Sequence, residues 1–171
     1  MNIERITSPH VTEPPPGRWS NALRVGDMLL ISGTVSRAPD GVAIQGTNEY
    51  EQAKIIFGKI RHLVEAAGGT MSDVVKVTIY VVNIKQNTEV WRARQEFFTG
   101  NFPCSTLVEV RSLATPEILV EIEAIAYIGA GIHKRFCVDE QLSSRQSQFH
   151  CPVVKGGFSG AEKFPSTAFR I

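Results

Sequence analysis

The chain has 171 residues, of which 43% are hydrophobic, and its formal net charge is +1. This size and composition predict one folded domain with a real core, and the near-neutral charge argues against nucleic acid or an anionic membrane as a partner. No apolar run is long enough to span a bilayer and the N-terminus lacks the blocks of a secretion signal, so we expect a cytoplasmic protein.

The first predicted elements are strands. Residues 2–7 could form a short edge strand. Ala22–Val25 and Met28–Ser32 are apolar runs separated by Gly26-Asp27, which is compatible with a two-residue hairpin turn. Gly33 follows the second run, at a point where the backbone would turn tightly or approach another group closely.

The clearest predicted helix covers Asn48–Ala67. Its apolar residues recur at spacings of three and four, which gives one apolar stripe. Thr47 or Asn48 can cap its N-terminus, and Gly68-Gly69 is the kind of sequence at which a helix ends.

A β-branched strand is predicted over Val74–Val82 and a second helix over Thr88–Thr99. Two alternating strands joined by a short turn follow, at Leu107–Val110 and Ile118–Ala126. The order β-β-α-β-α-β-β predicts an α+β fold in which two helices cover one face of a mixed sheet. Since no element within residues 1–128 covers the other face, we expect the protein to form oligomers.

The last predicted strand carries acids where packing alone does not require them. Successive side chains of a strand point to opposite faces, so Glu121 and Glu123 share one face while Val120, Ile122 and Ala124 share the other. A face with two carboxylates is either solvated or lines a site. Glu121 is the stronger catalytic candidate, because partial burial in an apolar cleft would raise its pKa and let it move a proton near neutral pH.

More ordinary roles remain open for these acids. Glu121 could instead face solvent or pair with Arg111 across the turn. Glu109, in the preceding strand, and Glu123 are better explained as surface or interface ion pairs.

Residues 129–171 form a predicted C-terminal extension that is too poor in aliphatic residues to build its own core. Together with Cys104, its cysteines make an odd number without close spacing, which fits free thiols. Its histidines and cysteines match no zinc-ligand spacing, so we predict no metal site: His133, Cys137, His150 and Cys151.

A set of segments in unbroken order carries a family resemblance. The segments are Gly17-Arg-Trp-Ser-Asn-Ala, Met28-Leu-Leu-Ile-Ser-Gly, Glu65-Ala-Ala-Gly, Asp73-Val-Val-Lys-Val-Thr, Glu96-Phe-Phe, Phe102-Pro, Val108-Glu-Val and Glu121-Ile-Glu-Ala-Ile-Ala. Over roughly residues 1–128 the chain resembles the Rid family of reactive-intermediate deaminases (the YjgF/YER057c/UK114 proteins).

The resemblance implies a chorismate-mutase-like fold and a homotrimer whose sheets face inward, with small-molecule sites in three clefts between subunits. Typical members hydrolyse imines or enamines to ketones and ammonia, and they need no metal or organic cofactor. The resemblance also implies that the first acid of the Glu-Ile-Glu-Ala run, here Glu121, positions or activates water.

The chain departs from the family at the arginine that grips the substrate carboxylate in a Pro-Ala-Arg-Ser sequence. That position holds Ser105 here. A guanidinium group donates two parallel hydrogen bonds to a carboxylate, whereas a serine hydroxyl donates one and is neutral. This replacement would weaken binding of a small carboxylate substrate by about 2–4 kcal/mol. Arg92, Arg94 or Arg111 could supply a replacement cation, and Arg94 lies near the inner side of the second helix. The tyrosine that often lines the cleft is replaced by Trp19.

These features predict an enzyme that hydrolyses, tautomerises or cyclises a small imine, enamine or enol-like intermediate, with Glu121 as its general acid/base. The alternative is a non-catalytic ligand-binding or regulatory trimer on the same scaffold. The neutral charge and the lack of a basic, aromatic-interleaved patch argue against a ribonuclease. The residues predicted to bind substrate are Ser105, Thr106, Trp19, Leu107, Ile31, Gly33 and Arg94.

Overall fold

A computed structural model describes residues 2–131 of the chain. The elements in chain order are β1 (Ile3–Ile6), β2 (Ala22–Val25), β3 (Met28–Thr34), α1 (Glu49–Ala66), β4 (Val74–Val81), α2 (Asn87–Gln95), β5 (Cys104–Glu109) and β6 (Val120–Tyr127). Nearly all of the predicted C-terminal extension, including its histidines and cysteines, lies outside the described residues. Within residues 2–131, no helix has the length and hydrophobicity that a bilayer crossing requires.

The strands form one six-stranded sheet in the order β1-β2-β3-β6-β4-β5. The predicted α+β class and mixed sheet are confirmed, but the expectation that a short turn joins the last two strands is wrong. β5 lies at the edge and pairs in parallel with β4, whereas β6 lies antiparallel between β3 and β4. β5 is parallel to β4 because α2 joins them: a helical crossover between two neighbouring strands brings the chain back to run in the same direction.

Helix α1 forms as its sequence predicts, and local interactions set both ends. The Asn48 side chain accepts a hydrogen bond from the backbone N–H of Glu51 at 2.9 Å. At the other end Gly68 adopts a φ of +84°, and the N–H of Gly69 returns to the carbonyl of Val64 at 2.9 Å. Both contacts satisfy backbone groups that a helix end otherwise leaves free.

Helix α2 ends at Gln95, four residues before the predicted end at Thr99. The N–H of Phe97 bonds to the carbonyl of Arg94, which tightens the last turn. The side chain of Phe98 is buried and meets the ring of Phe57 edge-on, with centroids 5.8 Å apart. The apolar residues that suggested a longer helix therefore pack the turn that follows it.

The two faces of the sheet differ in what covers them. Both helices pack on one face, where they share a core with the buried residues of β3, β4 and β6. Among the described residues, no helix or strand covers the opposite face, which we call the open face. It carries exposed or half-buried side chains that include Leu30, Lys76, Thr78, Glu121 and Glu123.

Candidate active site

The two acids of β6 lie on the open face, as the alternation of the strand predicts. Val120, Ile122 and Ala124 are buried on the other face, and Glu121 and Glu123 alternate with them. β4 is the antiparallel neighbour on one side of β6, and its Tyr80 stands opposite Glu121.

The other neighbour of β6 is β3, whose backbone fits closely around Glu121. The register changes between Ile31 and Thr34, so Ser32 and Gly33 together stand opposite Glu123. This irregularity brings Gly33 against the Glu121 carboxylate: a Cβ at Gly33 would lie only 2.0 Å from Oε1. No side chain fits at residue 33 while the carboxylate keeps this position. The structure thus supplies the close approach that the sequence predicted at Gly33.

The position of Glu121 has an electrostatic consequence. Its side chain is half-buried, and this loss of water raises the pKa of Glu121 above its usual value. The like charge of Glu123, two residues along the strand, raises the pKa of Glu121 further. A carboxyl group with a raised pKa holds a proton closer to neutrality, which suits general acid/base chemistry.

Tyr80 is the site residue that the sequence analysis missed. Loss of water, then the charge of Glu123 and a hydrogen bond to its carboxylate, and last the charge of Glu121 raise the pKa of the Tyr80 phenol. The phenol therefore remains a neutral hydrogen-bond donor beside two carboxylates. A signal was present in the sequence, since Lys76, Thr78 and Tyr80 alternate with the apolar residues of β4.

The open face continues from these residues towards the edge strand. Thr106 stands opposite Thr78, and its hydroxyl accepts a hydrogen bond from the ammonium group of Lys76. A groove of about 420 Å³ lies nearby and is lined partly by Ser32, Lys76 and Glu123. Of the predicted binding residues, Gly33 and Thr106 thus share a face with Glu121.

Other predicted binding residues do not share that face. Ser105 and Leu107 stand opposite the buried residues Val77 and Ile79 in the parallel ladder, so they point to the helix side of β5. Leu107 packs against the core. The side chain of Ile31 is 4% exposed and belongs to the core, although Ile31 is also among the residues that line the open-face groove.

Trp19 and Arg94 lie elsewhere. Trp19 is 54% exposed on the loop before β2, where it is available to a partner. Arg94 projects from α2 with its guanidinium carbon 5.6 Å from the centre of the Phe102 ring. Its Nε is buried without a hydrogen-bond partner among residues 2–131, and burial lowers the pKa of Arg94.

Glu109 has a local structural role. Its carboxylate accepts a hydrogen bond from the N–H of Ile84 at 2.9 Å, so it holds the turn before α2, and it forms no ion pair within residues 2–131 of one chain. Because β5 and β6 are not neighbours, Arg111 does not face Glu121 across a hairpin, and no ion pair joins the two within the described part of the chain.

Comparison with known proteins agrees with this architecture. The model of the family described as Endoribonuclease L-PSP matches residues 11–128. A relative from Dermatophagoides farinae, named 2-iminobutanoate/2-iminopropanoate deaminase, is 34% identical over 134 residues, which cover 75% of this chain and 99% of the relative.

Solved structures show the same similarity. A protein of unknown function from Pseudomonas aeruginosa has a TM-score of 0.66 at 40% identity, covering 75% of this chain and 94% of that one. A Rid-family protein from Yersinia pestis has a TM-score of 0.68 at 28% identity, covering 74% of this chain and all of the other (100%). The fold is thus that of a YjgF-like α+β protein. The chain belongs to the Endoribonuclease L-PSP family, which is the Rid family of the resemblance described above.

Proposed function

We propose that the protein is a Rid-like enzyme that hydrolyses a small imine or enamine, or tautomerises or cyclises a related enol-like intermediate. The observation that carries this proposal is the half-buried carboxylate of Glu121, which packs against Gly33 and has a raised pKa. The imine-deaminase name of the relative from Dermatophagoides farinae supports the same reaction class.

The chemistry that we assign to Glu121 is proton transfer. As a base, the carboxylate takes a proton from a water molecule while that water attacks the imine carbon. As an acid, it then returns the proton to the nitrogen, which gives a carbinolamine. The carboxylate next moves the hydroxyl proton of the carbinolamine to its amine, so that the C–N bond breaks, ammonia leaves and the C=O bond of a ketone forms. The phenol of Tyr80 beside it is a neutral donor that can hold the water or the departing nitrogen. The reaction consumes one water per imine and needs no cofactor.

The proposed site is completed by other copies of the chain in a homotrimer. Within one chain, Ser105 and Leu107 point away from the face that carries Glu121. Large apolar side chains are exposed on the open face, with Leu30 38% and Tyr127 47% exposed. Apolar surface of this kind is typical of a subunit interface.

The trimer is tested by sedimentation equilibrium. We expect a mass of three chains for the wild type and a lower mass for Leu30→Lys, which places a charge on the open face. A wild-type protein that sediments as a single chain and still turns over imines would contradict the shared site.

Arg94 is the cation that we assign to the substrate carboxylate, in place of the family arginine at the position of Ser105. It lies on the helix side of the sheet, as Ser105 does, and its Nε is unpaired among the described residues. Arg94→Gln should raise KM for carboxylate substrates about 10- to 100-fold and change kcat much less. Arg92→Gln is the matched control, because Arg92 lies on the same helix but pairs with Glu89 at 2.8 Å. Equal KM values for the two variants would refute the assignment.

The decisive experiment measures ammonia release from a panel of imines generated in situ. Glu121→Gln should lower kcat by about 100- to 10,000-fold, the range typical of a lost general acid/base. Glu123→Gln is the matched control, since it removes a carboxylate from the same face of the same strand. Equal turnover in wild type and Glu121→Gln would remove Glu121 from the mechanism.

The alternative function is a non-catalytic trimer that binds a small ligand, and the neutral Ser105 at the family arginine position favours it. Its signature would be an absence of turnover across the whole panel together with saturable binding of a small carboxylic acid.

A further inference from the structure

A second concave site lies away from the open face. It is formed by one side of α1, the segment around His10 and the loop that follows β3, and its volume is about 200 Å³. The polar side chains that define it are His10, Arg37, Lys59 and His62. None of the described residues that line it is acidic. The proposed function uses none of these residues.

Two basic side chains, Arg37 and Lys59, lie in its wall. The ammonium group of Lys59 donates to the carbonyls of Val35, at 3.0 Å, and of Arg37. Arg37 donates from Nη1 to the carbonyl of Val42 at 2.8 Å. Neither cation forms a salt bridge among residues 2–131. Burial, followed by the charge of Arg37, lowers the pKa of Lys59.

Two histidines complete the polar wall. The rings of His10 and His62 stack with their centroids 4.5 Å apart and their planes inclined by 31°. Stacked rings keep their nitrogen atoms at the ring edges, where they can donate to a ligand. Two acids lie near these groups without lining the pocket. Glu65 lies 3.6 Å from His62 and also contacts Arg61. Asp40 accepts N–H groups of its own loop and also interacts with the charge of Arg37.

The floor of this site contains Gly58, in the middle of α1. A glycine there destabilises a helix by about 0.5–1 kcal/mol relative to alanine. Its backbone does not require glycine, because its φ is not positive, and a Cβ at residue 58 would meet nothing within 4 Å. Packing therefore gives no reason for the missing side chain, and its absence leaves this part of the pocket wall open.

We propose that this pocket, the Arg37–Lys59 pocket, binds a small tetrahedral oxyanion of the phosphate type, either free or as the end of a phosphomonoester. A phosphate is an acceptor of several hydrogen bonds, and the pocket is lined by two basic side chains, Arg37 and Lys59, that can donate to it. A cavity of about 200 Å³ has room for one such group. A metal cation does not suit it, because Arg37 and Lys59 would repel a cation.

Binding is tested with inorganic phosphate and with sulfate, against chloride at equal ionic strength. Titrations followed by amide chemical shifts should give saturation with a Kd of about 1 mM or below, with the largest shifts near Gly58 and Arg37. Glycerol 3-phosphate distinguishes the two sources: tighter binding than phosphate identifies a phosphomonoester, and equal binding identifies the free ion. Shifts that rise linearly with no saturation, or that are as large with chloride, would overturn the proposal.

Gly58→Leu is the sharpest variant. Its side chain would fill the pocket while the helix gains a residue of higher propensity, so the protein should fold and melt no lower than wild type. We expect its affinity for phosphate to fall at least tenfold. Lys54→Gln is the control, because it removes a cation from the same helix at a residue paired with Glu96. Unchanged affinity in Gly58→Leu, or an equal loss in Lys54→Gln, would refute the site. Neither outcome bears on the proposed role of Glu121.

Discussion

The contact between Gly33 and Glu121 makes a prediction that can be tested without knowing the substrate. In Gly33→Ala the new Cβ would lie 2.0 Å from Oε1 of Glu121, whereas ordinary contact begins at 3.4 Å, so the oxygen must move by about 1.4 Å. Alanine fits the backbone, because Gly33 is not among the residues with positive φ. The effect of the substitution therefore acts through the carboxylate.

The expected free energies follow from the geometry. Overpacking costs about 1–3 kcal/mol, and the low end applies because the displaced group is the end of a flexible side chain. Gly33→Ala should thus lower the free energy of unfolding by about 1 kcal/mol. In a Glu121→Ala background the new methyl group has room. There Gly33→Ala should raise the free energy of unfolding by about 0.5–1 kcal/mol, as expected when alanine replaces glycine in a strand. The coupling between the two sites is then about 1.5–2 kcal/mol.

The assay is urea unfolding of the four proteins of this double-mutant cycle, at one fixed protein concentration. A second cycle with Glu123→Ala is the control, because the three atoms nearest to a Cβ at residue 33 all belong to Glu121 and none to Glu123. Coupling to Glu121 below about 0.5 kcal/mol, or equal coupling to both acids, would show that the contact is not formed in solution. The displaced carboxylate should also lower kcat of Gly33→Ala by about 100-fold.

Three further predictions concern stability. Because the pKa of Glu121 is raised in the folded protein, that state binds more protons than the unfolded chain above pH 4.5, and its stability falls as pH rises through the folded pKa. Glu121→Gln should remove this loss, so its unfolding free energy relative to wild type should increase over that window and then level off; a difference that does not change with pH would contradict the assignment. Gln52 is buried and bonds to the carbonyl of Glu117 at 2.8 Å and the N–H of Leu119 at 2.9 Å. Gln52→Leu should lower the unfolding free energy by about 2–4 kcal/mol, measured in urea, and a cost no larger than that of an exposed glutamine would show that these bonds contribute little. The buried carboxylate of Asp73 accepts backbone N–H groups at 2.6 and 2.7 Å, so Asp73→Ala should cost about 2–3 kcal/mol by thermal melting, and an unchanged Tm would refute this role.

The elements that could be predicted from sequence are those that local interactions determine. α1 has its apolar stripe, its N-cap and its terminal glycines within one stretch of chain, and its observed bounds agree with the predicted Asn48–Ala67 to within a residue at each end. The face shared by Glu121 and Glu123 likewise follows from alternation within a single strand.

Strand order depended on long-range pairing and could not be predicted in the same way. The sequence suggested that the last two strands are neighbours, whereas β6 pairs with β3, some ninety residues earlier in the chain. β5 begins at Cys104, three residues before the predicted strand, because an exposed edge strand needs no apolar pattern there. Two contacts of Glu121 also depend on the register between strands and could not be predicted from the sequence. One is its alignment with Tyr80, and the other is the packing of its carboxylate against Gly33.

The central position of β6 has a consequence for how the chain folds. Without β6, the sheet order leaves β1-β2-β3 and β4-β5 as two separate sets of strands, and β3 and β4 each lack a partner on the inner edge. The last strand of the described residues therefore joins the two sets, and it carries Glu121. A nascent chain stalled before Val120 would expose both edges to other polypeptides, so chaperone dependence should be greatest just before synthesis of this domain is complete.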